Sequence, residues 1–247
     1  MPASAALIFT MALGSLILDR GTALRRPLST HDTQAPTVES RGIVRRVRVT
    51  APVAVITFDA CATRTQDNGF DQGLYDLVTR ERLPATIFVS GRWVETHPAA
   101  FTMLVANPLI EFGNHSYDHP HMTQLDEAAI VGEITRTNAL IAAYGRRAIA
   151  FRPPFGDVDP RLVEIVRRTG LPTVTWDVVS GDPGKRATKE GIERQVIGRA
   201  RPGSIIIFHI NGRAPHTVEA LPVILANLRA RGFTFAPLSS FLGRPAL

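Results

Sequence analysis

His115 and His119 stand four residues apart in the stretch Glu111-Phe112-Gly113-Asn114-His115-Ser116-Tyr117-Asp118-His119. Side chains at that spacing on a helical turn are neighbours, about 5–6 Å apart at Cβ. Two imidazoles so placed can converge on one cation at the Zn–N distance of about 2.0–2.1 Å. His121 follows, and Gly, Asn, Ser and Pro surround the pair. The segment therefore reads as a loop or single turn at a strand end, where binding residues concentrate. An isolated H-x-x-x-H pair is more often two surface histidines, so the surrounding elements decide its meaning.

Those elements alternate. Val44 to Val49 reads as a short preliminary strand. Ala51 to Phe58 is β-branched and aromatic, the pattern of a strand buried on both faces. Further strands are predicted at 84–89, 109–112, 149–151, 172–176, 204–208 and 233–235. Helices are predicted at 74–82, 98–106, 123–144, 160–168, 189–200 and 218–231. Gly170 and Gly232 stop two of them. Thr123 and Glu127, near Asp126, give the long helix a capping-box start. Strand and helix in alternation, with no break in composition, predict one parallel α/β barrel-like domain.

Such barrels gather their chemistry at the C-terminal ends of the strands. Asp59 follows the first long strand, His115 the third and Arg152 the fourth. Asp177 and Asp182 follow the fifth, and His209 the sixth. Each alone has a structural explanation as a turn former, cap or ion pair. Together they describe a rim suited to metal-assisted hydrolysis. Asp59 would take a proton from water, Arg152 would hold Asp59 ionised, and His209 would protonate the leaving group.

The chain of 247 residues carries a formal charge of +6, with 45% hydrophobic and 20% charged residues. Its arginines are scattered, apart from Arg45-Arg46-Val47-Arg48 and Arg146-Arg147, so no nucleic-acid stripe is expected. The single cysteine, Cys61, excludes an intrachain disulfide. Residues 1–20 read as an export signal or membrane anchor, although basic residues follow the apolar run rather than precede it. Residues 21–43 read as a linker and 44–247 as the catalytic domain. An exported protein of the periplasm, cell envelope or exterior is expected.

The ordered motifs resemble those of a NodB-type polysaccharide deacetylase, a carbohydrate esterase family. They are Thr57-Phe58-Asp59, His115-Ser116-Tyr117-Asp118-His119, Arg152-Pro153-Pro154-Phe155-Gly156, Trp176 to Asp182, and Ile207-Phe208-His209. The resemblance implies a distorted (β/α)7-type barrel, a divalent metal (commonly zinc) and removal of acetyl groups from a glycan. It implies Asp59 as catalytic base, Arg152 as its support, His209 as general acid and Asp182 as the carboxylate tuning that acid. His115 and His119 become metal ligands. The backbone at Phe155 would bind the oxyanion, and Trp176 and Ile207 would line the acetyl pocket.

Two positions depart from the family pattern. Ala60 stands where an Asp usually supplies the third ligand, and Pro183 where a Trp is usual. Asp71, in Gly69-Phe70-Asp71, is the leading replacement ligand, followed by Asp67 and by Cys61, whose thiolate is a good zinc ligand. Asn211 and Arg213 are candidates for contact with sugar or an anionic group, with a turn at Asn211-Gly212 the alternative. An inactive glycan-binding protein and a metal-free cyclic amide hydrolase are the rival functions.

Overall fold

The computed structural model describes residues 38–39 and 42–243. The expected signal or anchor at 1–20 and most of the linker at 21–43 lie outside the described residues. The described strands are β1 (Val38–Glu39), β2 (Ile43–Val44), β3 (Val53–Ala60), β4 (Ala85–Val89), β5 (Ile110–Asn114), β6 (Ala148–Phe151), β7 (Thr173–Val174), β8 (Val178–Val179), β9 (Ile205–His209) and β10 (Thr234–Phe235). The helices are α1 (Gln72–Arg80), α2 (Gly91–Thr96), α3 (Pro98–Ala106), α4 (Glu127–Ala143), α5 (Pro160–Arg168), α6 (Lys189–Arg199) and α7 (Thr217–Ala230). Among the described residues, no helix is long and apolar enough to cross a membrane.

The strand order is β1-β2-β7-β6-β5-β4-β3-β9-β8, with β10 on β3. Every strand pairing is parallel except β1 on β2. The sheet curls, and the segment after β2 closes its seam. Arg46 bridges Ser204 in antiparallel fashion, and the Val47 N–H donates to the Gly203 carbonyl at 2.9 Å. The result is the expected distorted (β/α)7-type barrel.

Successive side chains of a strand point to opposite faces, and this sorts the core into two. Ala54, Ile56, Phe58 and Ala60 of β3 join Leu74, Leu77, Ile224 and Leu225 beneath the helices. Val55, Phe88, Ala150, Val174 and Ile205 fill the barrel interior. Thr57 and Asp59 share the interior face with Val55, and Cys61 continues it one step past the strand end. Gly113 on β5 is part of this floor, because a Cβ there would overlap the Phe88 ring.

Several boundaries differ from expectation, each for a local reason. The predicted helix over 123–144 begins only at Glu127. Asp126 is the N-cap, its Oδ1 accepting from the Ala129 N–H at 2.8 Å, and Met122–Gln124 form a separate 3-10 turn. Thr123 bonds Asp157 at 2.6 Å and does not cap. Ser90 caps an additional short helix, α2. Of the predicted strand at 172–176 only Thr173–Val174 forms β7, and a further short strand, β8, follows Thr175-Trp176-Asp177. The apolar pair Ile43-Val44 makes the end of the expected linker a strand instead.

Candidate active site

The rim residues meet above the Phe88 floor. Arg152, fully buried, donates from Nη1 to Asp59 Oδ1 at 2.7 Å and from Nη2 to Thr57 Oγ1 at 2.9 Å. Its guanidinium lies 3.9 Å from the Phe88 ring centre. Burial alone would raise the Asp59 pKa, but the Arg152 charge foremost, with His115 and His209 whenever these are protonated, outweighs it and holds the carboxyl below its ordinary range. Asp59 is therefore a carboxylate in a nearly dry site.

His115 ends β5. Its Nδ1 lies 2.8 Å from the Arg152 carbonyl, a bond that only an Nδ1–H can donate, so Nε2 carries the lone pair. That Nε2 is 3.4 Å from Asp59 Oδ2. His119 follows in a loop rather than on a helical turn, with φ 58. Ser116, at φ 63, starts the loop, and helix α4 pins it. Glu133 accepts from the Tyr117 and Asp118 N–H groups at 2.7 and 2.8 Å. Thr137 donates to the Ser116 carbonyl at 2.9 Å. Of the four non-glycine residues with positive φ among those described, Ser116, His119 and Phe155 are all at this site. Each such conformation costs about 1–3 kcal/mol and persists only where its surroundings enforce it.

Burial lowers the His115 pKa, and burial followed by the nearby His115 charge lowers that of His119 to about 3. Both imidazoles are neutral at pH 7, the form that ligates a cation. Cys61 Sγ completes a cluster with them, the three donor atoms lying within 4.8 Å of one another. Two imidazoles and a thiol form a donor set suited to zinc. Without a cation, burial first and then Asp59 push the thiol up to about 12.

Across the cavity, His209 Nδ1 lies 2.9 Å from Asp182 Oδ1. Asp182 Oδ2 also accepts from the His209 N–H at 2.7 Å and from Thr217 Oγ1 at 2.9 Å. Burial would lower the His209 pKa, but the hydrogen bond and charge of Asp182 raise it above its ordinary value. These residues, with Phe155, Trp176, Ile207 and Arg213, line a cavity of about 380 Å³. Phe155 is 58% exposed at its edge, stacked 4.3 Å from the His121 ring.

Four expectations are corrected. Asp71 is not beside the histidines: it is the N-cap of α1, its Oδ1 accepting from the Leu74 N–H at 2.9 Å. Asn211 is fully buried away from the cavity and donates to the Cys61 carbonyl at 2.9 Å and to Sγ at 3.3 Å. Asp177 anchors the start of β9 through the Ile205 N–H at 2.9 Å, so it is not a rim residue. Asp67, the second candidate ligand, is taken up by Thr96 at 3.2 Å and His97 at 3.3 Å. Thr57, which supports Arg152, was missed, although its position two residues before Asp59 places it on the same face.

The profile of the polysaccharide deacetylase family matches residues 46–174, just over half of the chain. The chain belongs to the polysaccharide deacetylase family. It is 32% identical over 173 residues to a bifunctional xylanase/xylan deacetylase of Cellvibrio japonicus, covering 69% of this chain and 25% of that longer protein. It is 29% identical over 206 residues to a chitooligosaccharide deacetylase of Bradyrhizobium, covering 73% of this chain and 91% of the relative. Among solved structures, a family 4 carbohydrate esterase of Streptomyces lividans in complex with acetate superposes with a TM-score of 0.68 at 31% identity, over 79% of this chain and 97% of that one. A pseudoenzyme of the same esterase family from Bacillus anthracis superposes at 0.72 with 25% identity, over 84% and 71%. The family thus includes both active and inactive members on this barrel.

Proposed function

We propose that this chain is a metal-dependent hydrolase that removes acetyl groups from a glycan, cleaving the C–N bond of an N-acetylated amino sugar or the corresponding ester. One observation carries the reading. Two independent charge-supported groups, Asp59 on Arg152 and His209 on Asp182, face one cavity whose wall holds two neutral histidines. A glycan-binding module needs no such acid–base pair. The relatives named for xylan and chitooligosaccharide deacetylation support the substrate class.

A divalent ion held at His115 and His119 would polarise the acetyl carbonyl and acidify water. The protein supplies the rest. Asp59 takes the proton as water attacks the carbonyl carbon. The backbone at Phe155, in a left-handed conformation with φ 60, would donate its N–H to the developing oxyanion. His209, its Nδ1 bonded to Asp182, offers Nε2–H to the departing amine as the C–N bond breaks. Trp176 and Ile207 confine the acetyl methyl group. A glycan substrate sets the site of action in the cell envelope or outside the cell.

The test is acetate release from N-acetylated oligosaccharides and acetylated xylan by the zinc-loaded chain. Asp59→Asn should reduce it at least 100-fold. Retained glycan binding with no acetate from the wild type would instead favour a pseudoenzyme, the reading to which Ala60 points.

A further inference from the structure

We infer that Cys61 is the third protein ligand of the metal site, making it a thiolate–imidazole centre without a carboxylate ligand. The inference rests on the metal-dependent reading above and names the residue that fills the position left by Ala60.

Three observations converge. The first is the cluster itself: among the described residues, Cys61, His115 and His119 are the group of metal-ligating atoms brought together. The second is placement. Cys61 lies two residues after Asp59, so strand alternation turns its side chain to the cavity wall, where it sits beside Asp59 and the histidines. Ala60 faces the opposite way, into the apolar layer under the helices. The third is the support around the sulfur. Asn211 Nδ2 lies 3.3 Å from Sγ and 2.9 Å from the Cys61 carbonyl, and Asn68 Nδ2 binds the same carbonyl at 2.7 Å. Asn211 is fully buried, so its amide fixes the rotamer of the thiol and offers a hydrogen bond to a thiolate. Metal-site ligands commonly carry such outer partners, and losing one costs about 10–100-fold in metal affinity.

The carboxylates that could compete are committed elsewhere, Asp71 to the α1 N-terminus and Asp67 to Thr96 and His97. Binding exchanges the thiol proton for the cation, and the proton leaves to solvent. A soft sulfur ligand shifts preference toward zinc and cobalt(II) and away from magnesium, calcium and manganese, which favour oxygen.

The test is cobalt(II) titration of the metal-free full chain, followed by visible and near-ultraviolet absorption. Cys61 is the only sulfur thiol in the chain, so a thiolate-to-cobalt charge-transfer band has one source. The expected result is that band in the wild type. Cys61→Ser should lack it and bind cobalt at least tenfold more weakly. Asn211→Ala should keep the band and lose about 10–100-fold in affinity. Asp71→Ala should leave both band and affinity unchanged. Cobalt bound with d–d bands but no charge-transfer band would overturn the thiolate assignment and leave the metal-dependent reading standing. Loss of cobalt in Asp71→Ala with an unchanged fold would transfer the ligand role to that carboxylate. A wild type that binds no cobalt would overturn both.

Discussion

The guanidinium of Arg152 donates to the carboxylate of Asp59 at 2.7 Å across a separation of 93 residues. Both groups are almost without solvent, and neither has another opposite charge as close. Removing one leaves the other buried and uncompensated, a change that costs about 3–5 kcal/mol. Arg152→Ala is therefore expected to lower stability by that order and to abolish acetate release, as read by urea denaturation and assay. The Asp59 carboxyl is held low in the folded state. Its contribution to stability is complete above the ordinary value of 3.8 and is lost as pH falls through the lower folded value. Arg152→Ala should remove that acid dependence. Arg152→Lys keeps the charge but cannot reach Asp59 and Thr57 together, so it should recover stability better than rate.

On the proposed mechanism, the Asp182–His209 pair should set the alkaline limit of activity. Asp182 raises the His209 pKa above 6.5, so the protonated acid persists past that pH and is lost as pH rises through the folded value. The alkaline limb of the kcat/KM profile should lie above 6.5 in the wild type and move to lower pH in Asp182→Asn. His209→Ala should reduce kcat by about 10²–10⁴, the usual share of general acid catalysis. An alkaline limb unmoved by Asp182→Asn would remove His209 from the acid role.

Gly113 never meets substrate, yet the site depends on it. A methyl group there would overlap the Phe88 ring, on which Arg152 rests. Gly113→Ala should cost about 1–3 kcal/mol through overpacking and reduce kcat by tilting the Arg152–Asp59 pair. Adding Phe88→Leu should restore much of the stability while leaving kcat low, because the ring face under Arg152 is gone.

Phe155 offers an apolar ring at the cavity edge. Its truncation should barely change thermal stability, since exposed positions usually shift it by less than about 0.5 kcal/mol. Phe155→Ala should raise KM for oligosaccharides about tenfold, equivalent to ~1.4 kcal/mol, with a smaller effect on a monosaccharide.

Much of this was legible in the chain. β3, β4 and β9 announce themselves as β-branched runs, and polar residues at their ends declare the rim. What local pattern could not supply was the choice among third ligands. Asp71 precedes a helical segment, and a residue there caps its own helix more readily than it reaches a distant site. Cys61 shares a strand face with Asp59. Both rules apply to the sequence, but only the position of the histidines, reached through α4 and a left-handed loop, shows which residue they meet. Asn211 follows the β9 rim in sequence, which makes it a candidate for the groove, with a turn at Asn211-Gly212 the alternative. Instead it is buried and bonds Cys61, 150 residues away, a contact too distant in sequence to be read locally.

The sealed floor governs the traffic of molecules through the site. Buried Phe88 and Arg152 pack beneath Asp59, so substrate is expected to approach from the opposite, cavity side. On the proposed reaction the acetyl group would lie deepest, with the sugar above it. After cleavage, acetate would then lie below the deacetylated glycan, and the two products are expected to depart in a set order, sugar before acetate. Free acetate should then compete with fresh substrate for the same enzyme form. Acetate inhibition that is competitive with glycan would report the closed bottom of this barrel from kinetics alone.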